Sequence, residues 1–324
     1  MRNIILFHGD LDGLYSGLLF YIQNEDQLEI NEVRSMDYGQ DHSTLKDQFD
    51  NFFIFDFAEN PGGSKTVLWV DHHLRQGENG ADFHLIGEAP SCVRLLIDRG
   101  IVSKDLLSEE DVKCIDIIDS ASYNWSDNFR PEDLVFPSVT NGKLGQYAAL
   151  NQLMRKNRKS GLAEKLFAET TLKVDVLLYR IEKDSNYKTL KYKAYIDNKQ
   201  KLLNKIVKDT GRYIKYFDDI PVLFTKEFTQ EDWKGYDFNL FGYLVNKSPY
   251  LIVVFDFTNE VNVQVAKNAF CSTKVAPVYS IIKEEVSDPR GHEGIINLSF
   301  SNQTEAINKL DPIIKKLASH LQDK

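Results

Sequence analysis

The sequence is short of cysteine, of net positive charge and of long apolar runs, and each shortage removes a class of protein. Its three cysteines, Cys92, Cys114 and Cys271, are odd in number and have no paired metal-ligand spacing. Neither a disulfide framework nor a zinc ribbon is therefore supported, and the cysteines read as reduced core thiols. No uninterrupted apolar stretch approaches the roughly 20 residues of a membrane-spanning helix. The opening IILF reads as a short strand without a cleavage site, so a cytoplasmic protein with no membrane partner is expected. Lys and Arg number 39 against 48 Asp and Glu, a net charge of −9. That balance argues against tight nonspecific binding to long duplex DNA, whose affinity comes mainly from lysine and arginine at phosphates. Short nucleotides remain allowed. No internal repeat or low-complexity tract occurs.

What is present begins with 324 residues, 42% of them hydrophobic, enough core for two domains. Residues 3–7, 52–55 and 66–70 read as strands. Residues 13–23, 90–100 and 108–118 read as helices, the second opened by Pro90 and Ser91 and stopped by Gly100. Short apolar strands alternating with helices predict a parallel sheet covered on both faces, with ligands gathered at the carboxyl ends of the strands. From about residue 151 to 216 the pattern turns helical and charged, with Gly211 a plausible stop for the last helix. Strand signals resume at IPVLFT, YLIVVFDF, VNVQVA and IINLSF, and a final helix fits residues 303–321. The expected layout is an α/β domain over 1–185, a helical linker over 186–213 and a smaller α/β domain over 214–324. Two basic runs, RKNRK at 155–159 and KTLKYK at 188–193, read either as borders of a substrate groove or as solvated helix faces.

The chemistry-bearing residues fall in four clusters near strand ends: His8, Asp10 and Asp12 in HGDLDG, Asp56 in FIFDFAENPG, Asp71, His72 and His73 in VDHH, and Asp119 in CIDIIDSASY. Carboxylate and imidazole together suit Mn²⁺ or Mg²⁺, and so many anionic groups need more than one cation to neutralise them. In HGDLDG an extended backbone would point His8, Asp10 and Asp12 to one side, and Gly13 would let the chain turn closely into the next helix. Asp56 is placed to bridge two ions, with His72 and Asp119 completing the ligands of the second ion. Two ions roughly 3.5–4 Å apart clamp a phosphoryl group and generate hydroxide from water, a recurrent design for phosphoester hydrolysis.

Each residue also has a plainer reading. Asp56 or Asp119 viewed alone is more often a helix cap than a ligand. His72 and His73 point in opposite directions on an extended chain, so one would meet metal while the other faces phosphate or a carboxylate. Asp71 would orient a histidine or bind an ion. Asp116 competes with Asp119 from one helical turn earlier.

HGDLDG, Asp56, VDHH and DSASY, in that order, resemble the four motifs of the DHH phosphoesterase superfamily. Its members include RecJ-like nucleases, oligoribonucleases that also dephosphorylate phosphoadenosine phosphate, cyclic-dinucleotide phosphodiesterases and exopolyphosphatases. The resemblance implies His8, Asp10 and Asp56 on a first Mn²⁺, Asp12, Asp56, His72 and Asp119 on a second, and His73 on the scissile phosphate, with Asp71, His73 and Asp56 acting on the chemistry. It favours Asp119 over Asp116, since DSASY is similar to the family's Asp-Thr-Gly-x-Phe segment. More weakly, RGHEGIINLSF resembles the Gly-Gly-His motif of the DHH-associated C-terminal domain, implying substrate contacts from Arg290, Gly291, His292 and Gly294. Lys267 is the nearest candidate for that domain's substrate-binding arginine.

The expectation is therefore a two-metal phosphodiesterase, with Mg²⁺ as the alternative to Mn²⁺, acting on short single-stranded oligonucleotides or linear dinucleotides held in a cleft between the two domains. Cyclic dinucleotides, phosphoadenosine phosphate and polyphosphate are alternative substrates, and a noncatalytic scaffold is the alternative of another class. A homodimer is expected because the family often dimerises.

Overall fold

The computed structural model describes all residues except 39, 41, 74–80, 121–133, 138–141, 184–190, 257–259, 287–289, 293 and 323–324, and leaves the side chains of residues 43, 86, 290–292 and 303 undescribed. The chain divides into two compact units, one of Met1–Phe129 with Pro137–Tyr192, the other of Arg130–Phe136 with Lys193–Lys324.

The first unit is built on five parallel strands: β1 (Asn3–His8), β2 (Glu32–Met36), β3 (Asn51–Phe55), β4 (Thr66–Asp71) and β5 (Phe83–Ile86). Their spatial order is β2-β1-β3-β4-β5. Every residue of β1 is buried, as expected of a central parallel strand covered on both faces. One face packs Ile4, Leu6, Phe52, Ile54 and Trp69 into a single apolar cluster, and the Trp69 indole donates to the Phe57 carbonyl at 2.8 Å. Because strand order reverses between β1 and β3, the crevice beyond their carboxyl ends is the switch point at which such sheets bind ligands.

Helices α1 (Leu11–Asn24), α2 (Cys92–Asp98) and α3 (Glu109–Asp119) follow the sequence signals closely. The hydroxyls of Ser91 and Ser108 cap α2 and α3, accepting from the Arg94 and Asp111 amides. Gly100 takes a positive φ of 68° just past α2. Cys92 and Cys114 are free and buried.

In the second unit, the mixed sheet runs β10-β11-β9-β8-β7-β6, formed by β6 (Ile214–Phe217), β7 (Ile220–Phe224), β8 (Tyr250–Asp256), β9 (Val261–Lys267), β10 (Arg290–His292) and β11 (Ile295–Phe300). Only β7 and β8 pair in parallel among these. Helix Gln303–Gln322 closes its core with Leu310, Ile313 and Leu317. One helix-stop expectation is corrected: the helix Tyr192–Lys208 ends before Asp209, and Gly211 lies inside the short helix Thr210–Tyr213. Asp209 takes a non-helical backbone conformation, which breaks the run two residues early. No helix among the described residues is long and apolar enough to cross a membrane.

Candidate metal centre

The four clusters converge where β1, β3 and β4 end. His8 is the last residue of β1 and is buried. Asp10 caps α1, accepting from the Gly13 amide at 3.3 Å. Gly13 cannot be replaced freely, because a Cβ there would stand 2.2 Å from the His8 carbonyl oxygen. The expectation of an extended HGDLDG is corrected at its far end: the helix starts at Leu11, so Asp12 reaches the site from the first helical turn. Asp56 follows β3 with φ +54°, while its amide donates to the Val70 carbonyl at 2.9 Å. No helix follows Asp56 directly, so it is not a helix cap. Its left-handed backbone is a conformation that aspartate tolerates better than most residues, though at some cost.

The side-chain distances define three overlapping groups among the described residues, one of which is Asp56, His72 and His73. His8, Asp10 and Asp56 form the second, with His8 Nδ1 at 2.9 Å from Asp10 Oδ2 and 3.6 Å from Asp56 Oδ2. Asp12, His72 and Asp119 form the third, with His72 Nε2 at 3.4 Å from Asp12 and 3.1 Å from Asp119. Asp56 Oδ1 lies 3.3 Å from the same His72 nitrogen, so this carboxylate reaches both of the latter groups. His72 Nδ1 donates to the Ala89 carbonyl at 3.0 Å. That bond fixes the tautomer and leaves the Nε2 lone pair facing the carboxylates. Asp71 does not join any of the three groups; its Oδ1 holds His73 Nδ1 at 2.6 Å, the orienting alternative for this residue.

Asp12 has a second function as a helix cap. Its two oxygens accept from the Cys92 amide at 2.6 Å and the Val93 amide at 2.9 Å, tying α1 to the first turn of α2. Asp116, the competitor of Asp119, is engaged elsewhere: Ser91 donates to it at 2.6 Å and the Arg94 guanidinium grips it at 2.8–3.0 Å. Of the DSASY segment, Asp119 ends α3 and Ser120 caps it, while residues 121–123 lie outside the described residues.

The electrostatics are those of a site built for cations. Burial alone would lower His8, but Asp10 and Asp56 outweigh it and raise its pKa to about 10. His72 and His73 are likewise raised despite burial, by Asp119 and Asp56 and by Asp71 respectively. Burial, then Asp56 and Asp119, push the Asp12 carboxyl well above the usual range. His8 Nε2 is buried without a hydrogen-bond partner among the described residues, and both Asp56 oxygens are buried with histidine nitrogens of the cluster at 3.3–3.7 Å rather than at good hydrogen-bond distance. Buried polar atoms are normally satisfied, and a divalent cation is what this oxygen and imidazole set accepts. The residues present therefore fit a divalent metal ion.

The RKNRK run is not simply a solvated face. Arg158 pairs with Asp37 at 3.0 Å. Despite burial, His8 holds the Asp10 carboxyl well below its ordinary value, and Arg158 and Arg155 add to that pull. Their role could not be read from the run, because only the fold brings residue 158 to the loop after β2. Of KTLKYK, residues 188–190 lie outside the described residues. In the second unit, the Lys267 amide donates to the Gly294 carbonyl at 2.8 Å, so the main chain brings these two together. Arg290 to His292 form β10, and their side chains are not described.

No protein-family model matches this chain, and no curated protein matches it in sequence. Solved structures match over nearly its whole length. The pGpG-specific phosphodiesterase PggH from Vibrio cholerae is 14% identical with a TM-score of 0.54, the match covering 99% of this chain and 100% of that one. RecJ in complex with Mn²⁺ from Thermus thermophilus is 11% identical with a TM-score of 0.51, over 98% of this chain and 52% of that one. At these identities the likeness is one of fold.

Proposed function

We propose that this chain, which has the fold of the DHH phosphoesterases, is a divalent-metal-dependent phosphodiesterase that hydrolyses short oligonucleotides or linear dinucleotides. The observation that carries the reading is the position of Asp56, one buried carboxylate within reach of both the His8 group and the His72 group. In this reading His8, Asp10 and Asp56 hold one ion and Asp12, Asp56, His72 and Asp119 hold the other. Two such ions, when bound, polarise the phosphate and supply hydroxide from water.

The chain's own groups do the rest. His72, locked through Ala89, offers Nε2 to the cluster and cannot rotate away. Asp71 fixes the Nδ1 proton of His73, the residue that the resemblance puts on a phosphate oxygen or the leaving group. Asp12 is immobilised by two backbone amides, which keeps one wall of the site rigid as charge moves. By the resemblance alone, Arg290, Gly291, His292 and Gly294, with Lys267, are assigned further substrate contacts. Mn²⁺ is favoured over Mg²⁺ by family expectation. The likeness to a pGpG phosphodiesterase and to RecJ supports nucleotide phosphodiesters over polyphosphate.

The test is Mn²⁺-dependent release of mononucleotide from labelled dimers to pentamers of RNA and DNA, with cyclic di-AMP, phosphoadenosine phosphate and polyphosphate alongside, for wild type and Asp56→Ala. Turnover of short linear substrates that vanishes in the variant supports the reading. Activity on one of the other substrates alone moves the assignment, and metal binding with silence on every substrate overturns it.

A further inference from the structure

Tyr38 is left unused by the chemistry above, yet its setting is unusual. It lies two residues beyond β2, and its side chain stays 41% exposed at the rim of a buried polar cluster. One ring face is backed by Phe57, stacked at 4.6 Å between centroids and 17° between planes. The phenolic oxygen accepts from the Ala58 amide at 3.2 Å, so the ring is pinned at its far end as well. Its centroid stands 5.5 Å from that of His8 and 6.2 Å from that of His73. A cavity of about 200 Å³ lined by Gln40, His42, Glu59, Asn60 and Pro61 lies beside the same stack, His42 meeting Phe57 edge-on at 6.2 Å.

We propose that Tyr38 is a specificity-determining residue whose open surface stacks a nucleobase flanking the scissile phosphate; this rests on the phosphodiesterase reading of the neighbouring cluster. Three features support it. A ring already immobilised by Phe57 and Ala58 gives up little side-chain entropy when a flat ligand lands on it, which is the condition for productive stacking. Its distance from His8 and His73 is about one nucleoside unit or less, so a base on Tyr38 and a phosphate at the cluster belong to one nucleotide or to adjacent ones. Stacking on an aromatic face discriminates nucleotides from polyphosphate and from simple phosphate esters without a long basic channel, consistent with the net negative charge of the chain.

The experiment compares kcat/KM with Mn²⁺ for a 5′-phosphorylated dinucleotide and its two abasic analogues, one lacking each base, in wild type, Tyr38→Leu and Tyr38→Phe. Leucine keeps Phe57 covered but removes the π-face, whereas phenylalanine keeps it. Tyr38→Leu should lose about tenfold on the intact dinucleotide, mostly in KM, with Tyr38→Phe within about twofold of wild type. On one abasic analogue, wild type itself should be about tenfold slower and Tyr38→Leu should lose nothing further. Equal loss on all three substrates would mean a packing role and overturn the proposal. So would a wild type that hydrolyses intact and abasic substrates alike, a result that needs no variant to fold. A wild type silent on all three would instead overturn the phosphodiesterase reading beneath it.

Discussion

Loading the site with metal should expel protons, and the amount can be worked from its geometry. A histidine must be neutral to ligate a cation, yet the carboxylates around His8 raise it to about 10 and those around His72 raise it as well. Near neutral pH the metal-free protein therefore carries protons where the ions would sit, and Asp12 holds its proton above the usual carboxylate range. Each proton displaced makes affinity rise tenfold per pH unit, so binding through His8 should tighten about tenfold per unit below its folded value of about 10, with His72 steepening the rise in the same direction. The stability of the metal-free fold should move the other way. Folded pKa values raised above the ordinary histidine value contribute stability that is complete below about 6.5 and is lost as pH climbs through the folded pKa. Each such group costs about 1.4 kcal/mol per unit, or roughly 3–5 °C of melting temperature for a unit of this size. Thermal melting in EDTA and in Mn²⁺ from pH 6.5 to 8.5, with calorimetric Mn²⁺ titrations in two buffers of different ionisation enthalpy, measures both slopes. A metal-free melting temperature that is flat across this window, together with buffer-independent binding heats, would refute the electrostatic argument.

Asp71→Asn should release His73 from its tautomer and lower kcat about 10- to 100-fold while leaving Mn²⁺ affinity within a few fold, a split read by pairing steady-state rates with metal titration. Asp119→Asn should chiefly weaken Mn²⁺ binding, with only a small effect on the metal-free melting temperature near neutral pH. Asp116→Asn should do the reverse, since its carboxylate serves Ser91 and Arg94, with a loss of about 1–3 kcal/mol by denaturant unfolding. Gly13→Ala forces a methyl to within 2.2 Å of the His8 carbonyl oxygen. It should cost about 1–3 kcal/mol or more and displace His8, abolishing Mn²⁺ binding even where circular dichroism reports a folded chain.

The parallel core was legible because β1, β3 and β4 are short apolar runs whose ends carry the acidic and histidine clusters, so pattern and chemistry pointed to the same edge. Strand β2 was not, because EVRSM at the sheet edge is mostly half-buried and mixes charged with apolar residues. FHLI was missed for brevity, a four-residue edge strand beginning with an exposed Phe83. Within the candidate site, the motifs named residues that the fold brings near one another, but their individual contacts run between distant segments. The spacing in HGDLDG could not reveal that a helix starts between Asp10 and Asp12. Asp116 and Asp119 share a face by sequence, and it took Ser91 and Arg94, on a different element, to separate them. Asp56 taken alone reads as a cap after a strand, and only its three companion clusters make it a bridging ligand; its positive φ could not be read from the sequence.

The bonds from Asp12 to the amides of Cys92 and Val93 mean that part of this centre is written in main chain rather than in side chains. Residues 92 and 93 can therefore drift through many apolar types without changing what Asp12 meets, and no pattern of side-chain chemistry would mark them. Proline is the exception, since it alone deletes the donor. A Val93→Pro chain would keep every acidic and imidazole group of the cluster and still lose one of the anchors that hold it in shape.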